Sequence, residues 1–366
     1  MKTKFFSLLL VLLSLSSMQS VKAVVIDDLY TVVLPVSDQT TDLRLRAFEA
    51  AFGLVLIKVS GSDEAKKNST IVRLAKNSAR YIKQFSYEAR PDVDEDGGAI
   101  KLLYLKVNFD QQLIEGLLRK YNYPVWGRER PITLLVINSQ VGGANRIVTG
   151  DSAPEMSLLL DAAALKMGVP TLFPLMDLED INLIDVSDVT TRNFNIINNM
   201  PTRYGTDAVV VGEIVELNSG DWLGSWEVRL ANKTFERRYK GATPEVVIDQ
   251  LIANLASVLA LEYALEYDQR NEQELLLKVS SMLDIDRLIL VRKYLGSLNV
   301  VDSVRVALVS KDEVTFHLKL KSSAEDLQKL IDIGNVLKQE DLPQVNLQSS
   351  VGIVISYDYI GRGISN

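Results

Sequence analysis

The chain has 366 residues, a net charge of −7, no cysteine and a single histidine. The missing cysteine excludes disulfides, thiolate metal sites, thiol nucleophiles and lipid attachment at an amino-terminal cysteine. The acidic balance argues against a basic surface for nucleic acid or anionic lipid.

Lys2 and Lys4 precede an apolar run from Phe5 to Leu15, followed by a polar stretch and the small residues Val21 and Ala23. This pattern predicts a secretory signal peptide over residues 1–23, cleaved after Ala23. A spanning helix needs roughly 20 apolar residues, and this run is interrupted sooner. Cleavage would remove three lysines and no acid, taking the net charge from −7 to −10. No later segment is expected to cross a bilayer.

Length predicts two or three domains, and we place them at 24–123, 124–268 and 269–366. The first is expected to be a small αβ domain. Tyr30 to Val36 reads as a strand, and Asp42 as the cap of a helix carrying Leu45, Phe48, Phe52 and Val55 and closed by Gly61. A second helix follows Asn68 or Ser69, a hairpin pairs Tyr81–Arg90 with Ile100–Phe109, and Asp110 caps another helix. Periodicity breaks between Tyr123 and Pro131, which marks the first boundary.

The central domain is expected to be mainly parallel α/β. Ile132 to Ile137 is a doubly covered strand, followed by a glycine loop at Gly142 and Gly143 and a helical stripe of Met156, Leu159, Leu160, Ala163 and Met167. Strands at Val169–Leu175 and Asp207–Leu217 bracket a short helix near Val189–Ile197. An antiparallel pair, Trp222–Leu230 and Thr234–Tyr239, then leads into a long helix opened by Thr243, Pro244 and Glu245. The last block reads strand, helix, strand, strand, helix, strand, the ferredoxin-like βαββαβ order. Its first helix starts at Asp284 and carries Ile285, Leu288, Ile289 and Leu295.

Asp92, Asp94, Asp96 and Gly97 resemble the first half of a calcium loop, but Leu103 stands where the distal acid belongs, so a solvated hairpin tip is expected. Asp177, Glu179 and Asp180 follow a strand end, where paired acids could hold magnesium or work as acid and base. They could equally cap the next helical turn. Arg203, Tyr204 and Asp207 form a second polar cluster, and an Arg–carboxylate pair joining the two is expected. Trp222 and Trp226 share one face of a strand, suiting sheet packing or a carbohydrate platform. His317 alternates with Val314, Phe316 and Leu318, so an exposed position is expected; without a second histidine or a cysteine it builds neither triad nor zinc site. Gly142 and Gly143 lack a phosphate-loop lysine. No cofactor is implied.

The stretches RAFEAAFGLVLIKVSGS (46–62), GVPTLFPLMDLED (168–180) and RYGTDAVVVGEI (203–214) together resemble an uncharacterised family of gammaproteobacterial exported proteins, known as a domain of unknown function. The resemblance implies a Gram-negative envelope location, most simply the periplasm, and carries no catalytic residues. In topology the central block is similar to the amino-terminal domain of the Tol system's periplasmic propeller protein, a partner-binding domain.

Binding is therefore expected over catalysis: a periplasmic or secreted adaptor for envelope proteins or peptidoglycan-associated machinery. The rivals are a hydrolase or metal-dependent enzyme using Asp177, Glu179 and Asp180, and a carbohydrate-binding protein using Trp222 and Trp226.

Overall fold

A computed structural model describes residues 24–26, 28–93, 99–193, 197, 199–230, 233–264, 273–334, 336–339 and 353–360. The expected leader, the boundary at 268/269, Asp94 and Asp96 lie outside these residues. The chain is mixed α/β, built on three main sheets.

In the N-terminal lobe, β1 (Val24–Val25), β2 (Thr31–Val36), helix α1 (Thr41–Ser60), helix α2 (Ser69–Ala75), β3 (Ile82–Val93), β4 (Ala99–Phe109) and helix α3 (Gln111–Lys120) appear in chain order. The sheet is antiparallel with order β2-β4-β3. Alternation on β4 sends Leu105 and Val107 inward, opposite Leu34 and Val32, and α1 covers them with Phe48, Phe52, Val55 and Val59 at helical spacing. Thr40, not Asp42, is the extended residue before α1. Asp42 sits inside the first turn, where its charge suits the helix dipole and pairs with Arg46 at 2.8 Å. Leu45 is also off the buried face and half exposed. Asn68 and Asp110 cap α2 and α3 through their side chains, accepting from Ile71 and Leu113 backbone N–H groups among others.

The segment where periodicity breaks is largely enclosed, with Val125 to Gly127 and Glu129 to Pro131 buried. Trp126 is fully buried and its backbone N–H donates to the Val59 carbonyl at 2.7 Å. Strand β5 (Glu129–Arg130) pairs with β1. Fully buried Arg130 stacks 3.8 Å over the Trp126 ring and donates to five carbonyls, those of Lys58, Trp126, Gly127, Met167 and Gly168, at 2.7–3.2 Å. Lys58 Nζ donates to the carbonyls of Asp28 and Thr31. Asn299, from the C-terminal lobe, donates to the Val125 carbonyl at 3.1 Å. Gly61 ends α1 with φ 69°, and a Cβ there would lie 2.3 Å from Ala260 Cβ. Glycine is needed on both counts, for the left-handed turn and for the close approach of a second lobe.

The middle lobe contains β6 (Thr133–Val141), β7 (Ala144–Ile147), α4 (Pro154–Met167), β8 (Thr171–Leu172), α5 (Leu178–Leu183), α6 (Val186–Thr190), α7 (Met200–Tyr204), β9 (Ala208–Glu216), β10 (Trp222–Leu230), β11 (Lys233–Gly241) and α8 (Pro244–Tyr263). The order is β11-β10-β9-β6-β7, with β8 beside the start of β6. The pairs β6/β9 and β6/β8 are parallel, and β7, β10 and β11 add antiparallel strands. Gly142 and Gly143, both with positive φ, form the turn of a β6–β7 hairpin in place of the expected loop. The strand expected over Val169–Leu175 pairs only at Thr171 and Leu172. Pro170 and Pro174 flank it and have no N–H to donate to a ladder. The following helix starts earlier than expected, at Val186, because Asp185 forms a capping box with Asp188. Helices α4 and α8 cover one face, whose core includes Leu135, Ile137, Val210, Leu251 and Leu255. The other face is covered from α5 to α7 by Ile184, Val189 and Met200. By length and composition α8 could cross a bilayer, contrary to expectation. In this fold its Val247, Ile248, Leu251, Ile252 and Leu255 are buried in the middle core.

The C-terminal lobe runs β12 (Gln273–Ser280), α9 (Ile285–Ser297), β13 (Val301–Val309), β14 (Val314–Leu320), α10 (Ala324–Ile333), β15 (Leu337–Gln339) and β16 (Ile353–Tyr359). The order β13-β14-β12-β16 contains the split βαβ unit, β12 and β13 flanking β14. The lobe departs from the expected βαββαβ order, however: β15 follows α10 and pairs antiparallel with β16, so β16 runs parallel to β12 where a ferredoxin-like last strand would be antiparallel. Asp284 and Ser323 cap the two helices. The stripe on α9 is rotated from the expected one: Val291, Tyr294 and Leu295 are buried, whereas Ile285 and Ile289 are exposed.

Candidate functional site

Two places in the middle lobe gather the candidate residues, on opposite faces of the sheet. On the α5 side, Asp177 precedes α5 with its carboxylate accepting from the backbone N–H groups of Glu179 and Asp180, both at 3.1 Å. Arg203 reaches across from α7, placed there by a helix with Pro201 in its first turn that closes on Gly205. Its Nε donates to Asp180 Oδ1 at 2.9 Å, one Nη to Asp177 Oδ2 at 2.6 Å, and the other pairs with Glu179. The second oxygen of Asp180, which is fully buried, accepts from Tyr204 Oη and from the Met176 N–H at 2.9 Å. Tyr204 Oη itself accepts from the Leu175 N–H at 2.7 Å.

The arrangement is a clamp that ties the irregular segment after β8 to the loop before β9. The backbone N–H of Asp180, assisted by Arg203, holds the Asp177 carboxyl below its ordinary range. Burial, then the Asp180 contact, pushes the Tyr204 phenol up to about 12. A general base needs a carboxylate poised near the working pH and within reach of substrate; these three share one guanidinium. Among the described residues, no group of three or more acids or histidines is placed to hold a metal ion. Asp92 lies in β3 opposite Ile100, and the rest of that motif is outside the described residues. His317 stands on the outer face of β14, half buried, with Nε2 3.2 Å from the Glu274 carboxylate.

On the α4/α8 side, the strand tryptophans separate. They share a face, as their spacing requires, but α8 covers it: Trp226 is fully buried, and Trp222 is only half-buried at the end of the sheet. The two therefore do not form a stacking platform.

Trp222 instead lines a groove of about 860 Å³ with Val141, Met156, Leu158, Leu159 and Arg146. It lies beyond the carboxyl ends of the parallel strands β6 and β9, where open α/β sheets receive ligands. Both helices on this face start there, each with proline in its first turn. Glu155 and Glu245 occupy those first turns and line the groove with Glu216. The Thr243 side chain bonds to Glu245 and holds its carboxyl below the ordinary range. Glu216 accepts from the Gly142 N–H at 3.2 Å, linking the hairpin turn to the end of β9. The wall is mainly apolar, and its charged rim carries three carboxylates against one guanidinium.

Of these residues only Trp222 is a candidate site residue in the sequence; Met156, Leu159 and Glu245 read there as parts of helices. Arg146 is hidden until Gly142-Gly143 is recognised as a hairpin turn. Leu158 carries a signal of its own, because it falls off the buried stripe of α4 and is 68% exposed.

Residues 23–127 match a family model described as a domain of unknown function (DUF8605). The match takes in the N-terminal lobe and the start of the buried junction, including the stretch 46–62, and stops before the groove and the Arg203 clamp. No curated protein matches the chain. Among solved structures, prolyl-tRNA synthetase from Cryptosporidium parvum, complexed with L-proline and AMP, is similar at 10% identity and a TM-score of 0.20. The likeness covers 64% of this chain and 51% of that one, so the chain spans about half of that protein. A likeness this slight bears on neither fold nor activity.

Proposed function

We propose that the protein is a non-catalytic binding protein of the Gram-negative cell envelope, exported to the periplasm as one of a gammaproteobacterial family, and that its groove receives an apolar partner segment bearing a cationic residue. The observation that carries this reading is the groove itself, an apolar wall rimmed by Glu155, Glu216 and Glu245 with Arg146 as the single opposing charge. An apolar segment gains by covering Leu158 and Trp222, and a lysine or arginine beside it meets the carboxylates. The occupant fits an adaptor that joins envelope proteins, including those of the peptidoglycan-associated machinery. The acids most suited to catalysis are engaged by Arg203, which supports binding over hydrolysis. The basic, apolar and small-residue pattern of residues 1–23 supports export.

Trp222 supplies the test, because Trp126 and Trp226 are fully buried and Trp222 is not. A leucine- and phenylalanine-rich peptide ending in lysine should blue-shift the emission and bind about tenfold more tightly than its glutamate counterpart. Leu158→Asp should abolish the shift. Equal affinity for the two peptides, or unchanged binding by Leu158→Asp, would refute the reading. For export, intact mass of the periplasmic fraction should show processing after Ala23; an unprocessed chain in washed membranes would contradict it.

A further inference from the structure

We infer that the cleft between the N-terminal and C-terminal lobes is a second binding site, independent of the groove, for a small multivalent anion bearing phosphate or carboxylate groups. The cleft has a volume of about 830 Å³ and a predominantly polar lining. On one side stand Thr31 and Asn108, cross-strand partners at the ends of β2 and β4, with Lys83 and Arg128. On the other stand Asp302 and Lys321, from β13 and the turn after β14.

The charges do not cancel. Glu115 is buried and already engaged: it accepts from Tyr30 Oη at 2.7 Å and Gln111 Nε2 at 2.9 Å, and it pairs with Arg119. Asp110 caps α3 through the Leu113 N–H at 3.0 Å. Asp302 is then the one acid of the lining without such a role. Lys83, Arg128 and Lys321 line the same cleft from three separate parts of the chain, and among the described residues none of the three makes an ion pair or donates a side-chain hydrogen bond. Arg128 lies 5.6 Å from the centre of the Tyr30 ring, a stacking contact that orients the guanidinium and uses none of its N–H donors.

With Arg119 and Glu115 paired, three cations stand against Asp110 and Asp302 alone, which leaves the cleft net positive in a chain of net charge −7. The excess of positive charge selects an anion. The spread of the cations over both walls selects one with more than one charged group, and the Asn108 and Gln112 amides can donate to its remaining oxygens. Such a ligand would bridge the lobes, so binding should raise the melting temperature.

The test uses the full chain with pyrophosphate, citrate and acetate at matched ionic strength, followed by calorimetry and thermal unfolding. Pyrophosphate or citrate should bind and raise the melting temperature while acetate does neither; which of the two binds more tightly identifies phosphate or carboxylate as the preferred group. Arg128→Gln and Lys321→Gln should each weaken binding at least about threefold, whereas Lys67→Gln, in an exposed ion pair elsewhere, should leave it unchanged. Lys321→Gln removes a charge beyond the end of its strand, so it reports on the site should Arg128→Gln impair folding. Absence of binding by both multivalent anions, or equal binding by wild type and Lys321→Gln, would overturn the assignment.

Discussion

The buried junction around Arg130 and the clamp around Arg203 each centre on one guanidinium, and they solve its charge in opposite ways. Arg203 meets three carboxylates, two of them well exposed to solvent. Arg130 meets no carboxylate: five backbone carbonyls and the face of Trp126 surround it, far from water. Exposed ion pairs contribute little because water competes for both partners. A buried cation that ties together α1, the Trp126 segment and the end of α4 leaves all of those carbonyls unsatisfied when it is removed. The clamp is therefore a local fastening, whereas the junction holds the lobes together.

The largest effect should come from Arg130→Met. It keeps much of the side-chain volume but strips five carbonyls of their donor, and should cost about 3–5 kcal/mol in urea unfolding. A loss below about 1 kcal/mol would erase the distinction drawn between the two arginines.

Glu129 sharpens the comparison through pH. Burial raises its carboxyl from 4.5 to about 7, opposed only in part by its hydrogen bonds and by Arg128, and one of its oxygens has no hydrogen-bond partner. The folded protein thus prefers the neutral acid. Below about pH 4.5 both states are protonated and there is no penalty. As pH rises from there to about 7 the unfolded chain releases its proton first and stability falls, levelling at a cost of about 3 kcal/mol. Glu129→Gln should remove that loss, leaving the variant more stable than wild type at pH 8 and the two alike near pH 4. Parallel pH profiles for the two proteins would show that Glu129 is not the source.

Gly61→Ala should cost about 2 kcal/mol, from its left-handed φ and its contact with Ala260. Thermal unfolding would read the loss, and a neutral substitution would mean that α1 and α8 can move apart freely.

Within the clamp the order should follow burial. Asp180→Asn alters a fully buried acceptor of three donors and should cost about 2 kcal/mol. Glu179→Gln, at 64% side-chain exposure, should change stability by less than about 1 kcal/mol. Equal losses for the two in chemical denaturation would contradict the ranking.

Regular periodicity made most elements legible. The apolar run of β6, the caps Asp110 and Asp284, and the opening βαββα order of the last lobe all follow from local chemistry, whereas the three-residue strand β15 that reverses the last strand did not show. Features set by contacts distant in sequence were not legible. Tyr123 to Pro131 has no period because several lobes bury it from several sides at once, so it reads as a linker. Pro170 and Pro174 shorten β8, a local signal outweighed by the apolar residues between them. The acids 177, 179 and 180 and the pair Arg203 and Tyr204 were identifiable as clusters, but the sharing of one guanidinium is a tertiary fact. The groove escaped notice because its lining comes from β6, β7, α4, β9, β10 and α8, none of which carries a motif.

The reading of this protein as a binder is tested most directly by complementation in a host lacking its own copy, comparing Leu158→Asp with Glu179→Gln after both are shown to be folded and exported. Glu179→Gln should restore function and Leu158→Asp should fail. Rescue by Leu158→Asp together with complete loss in Glu179→Gln would move the chemistry to the carboxylate clamp and contradict the account.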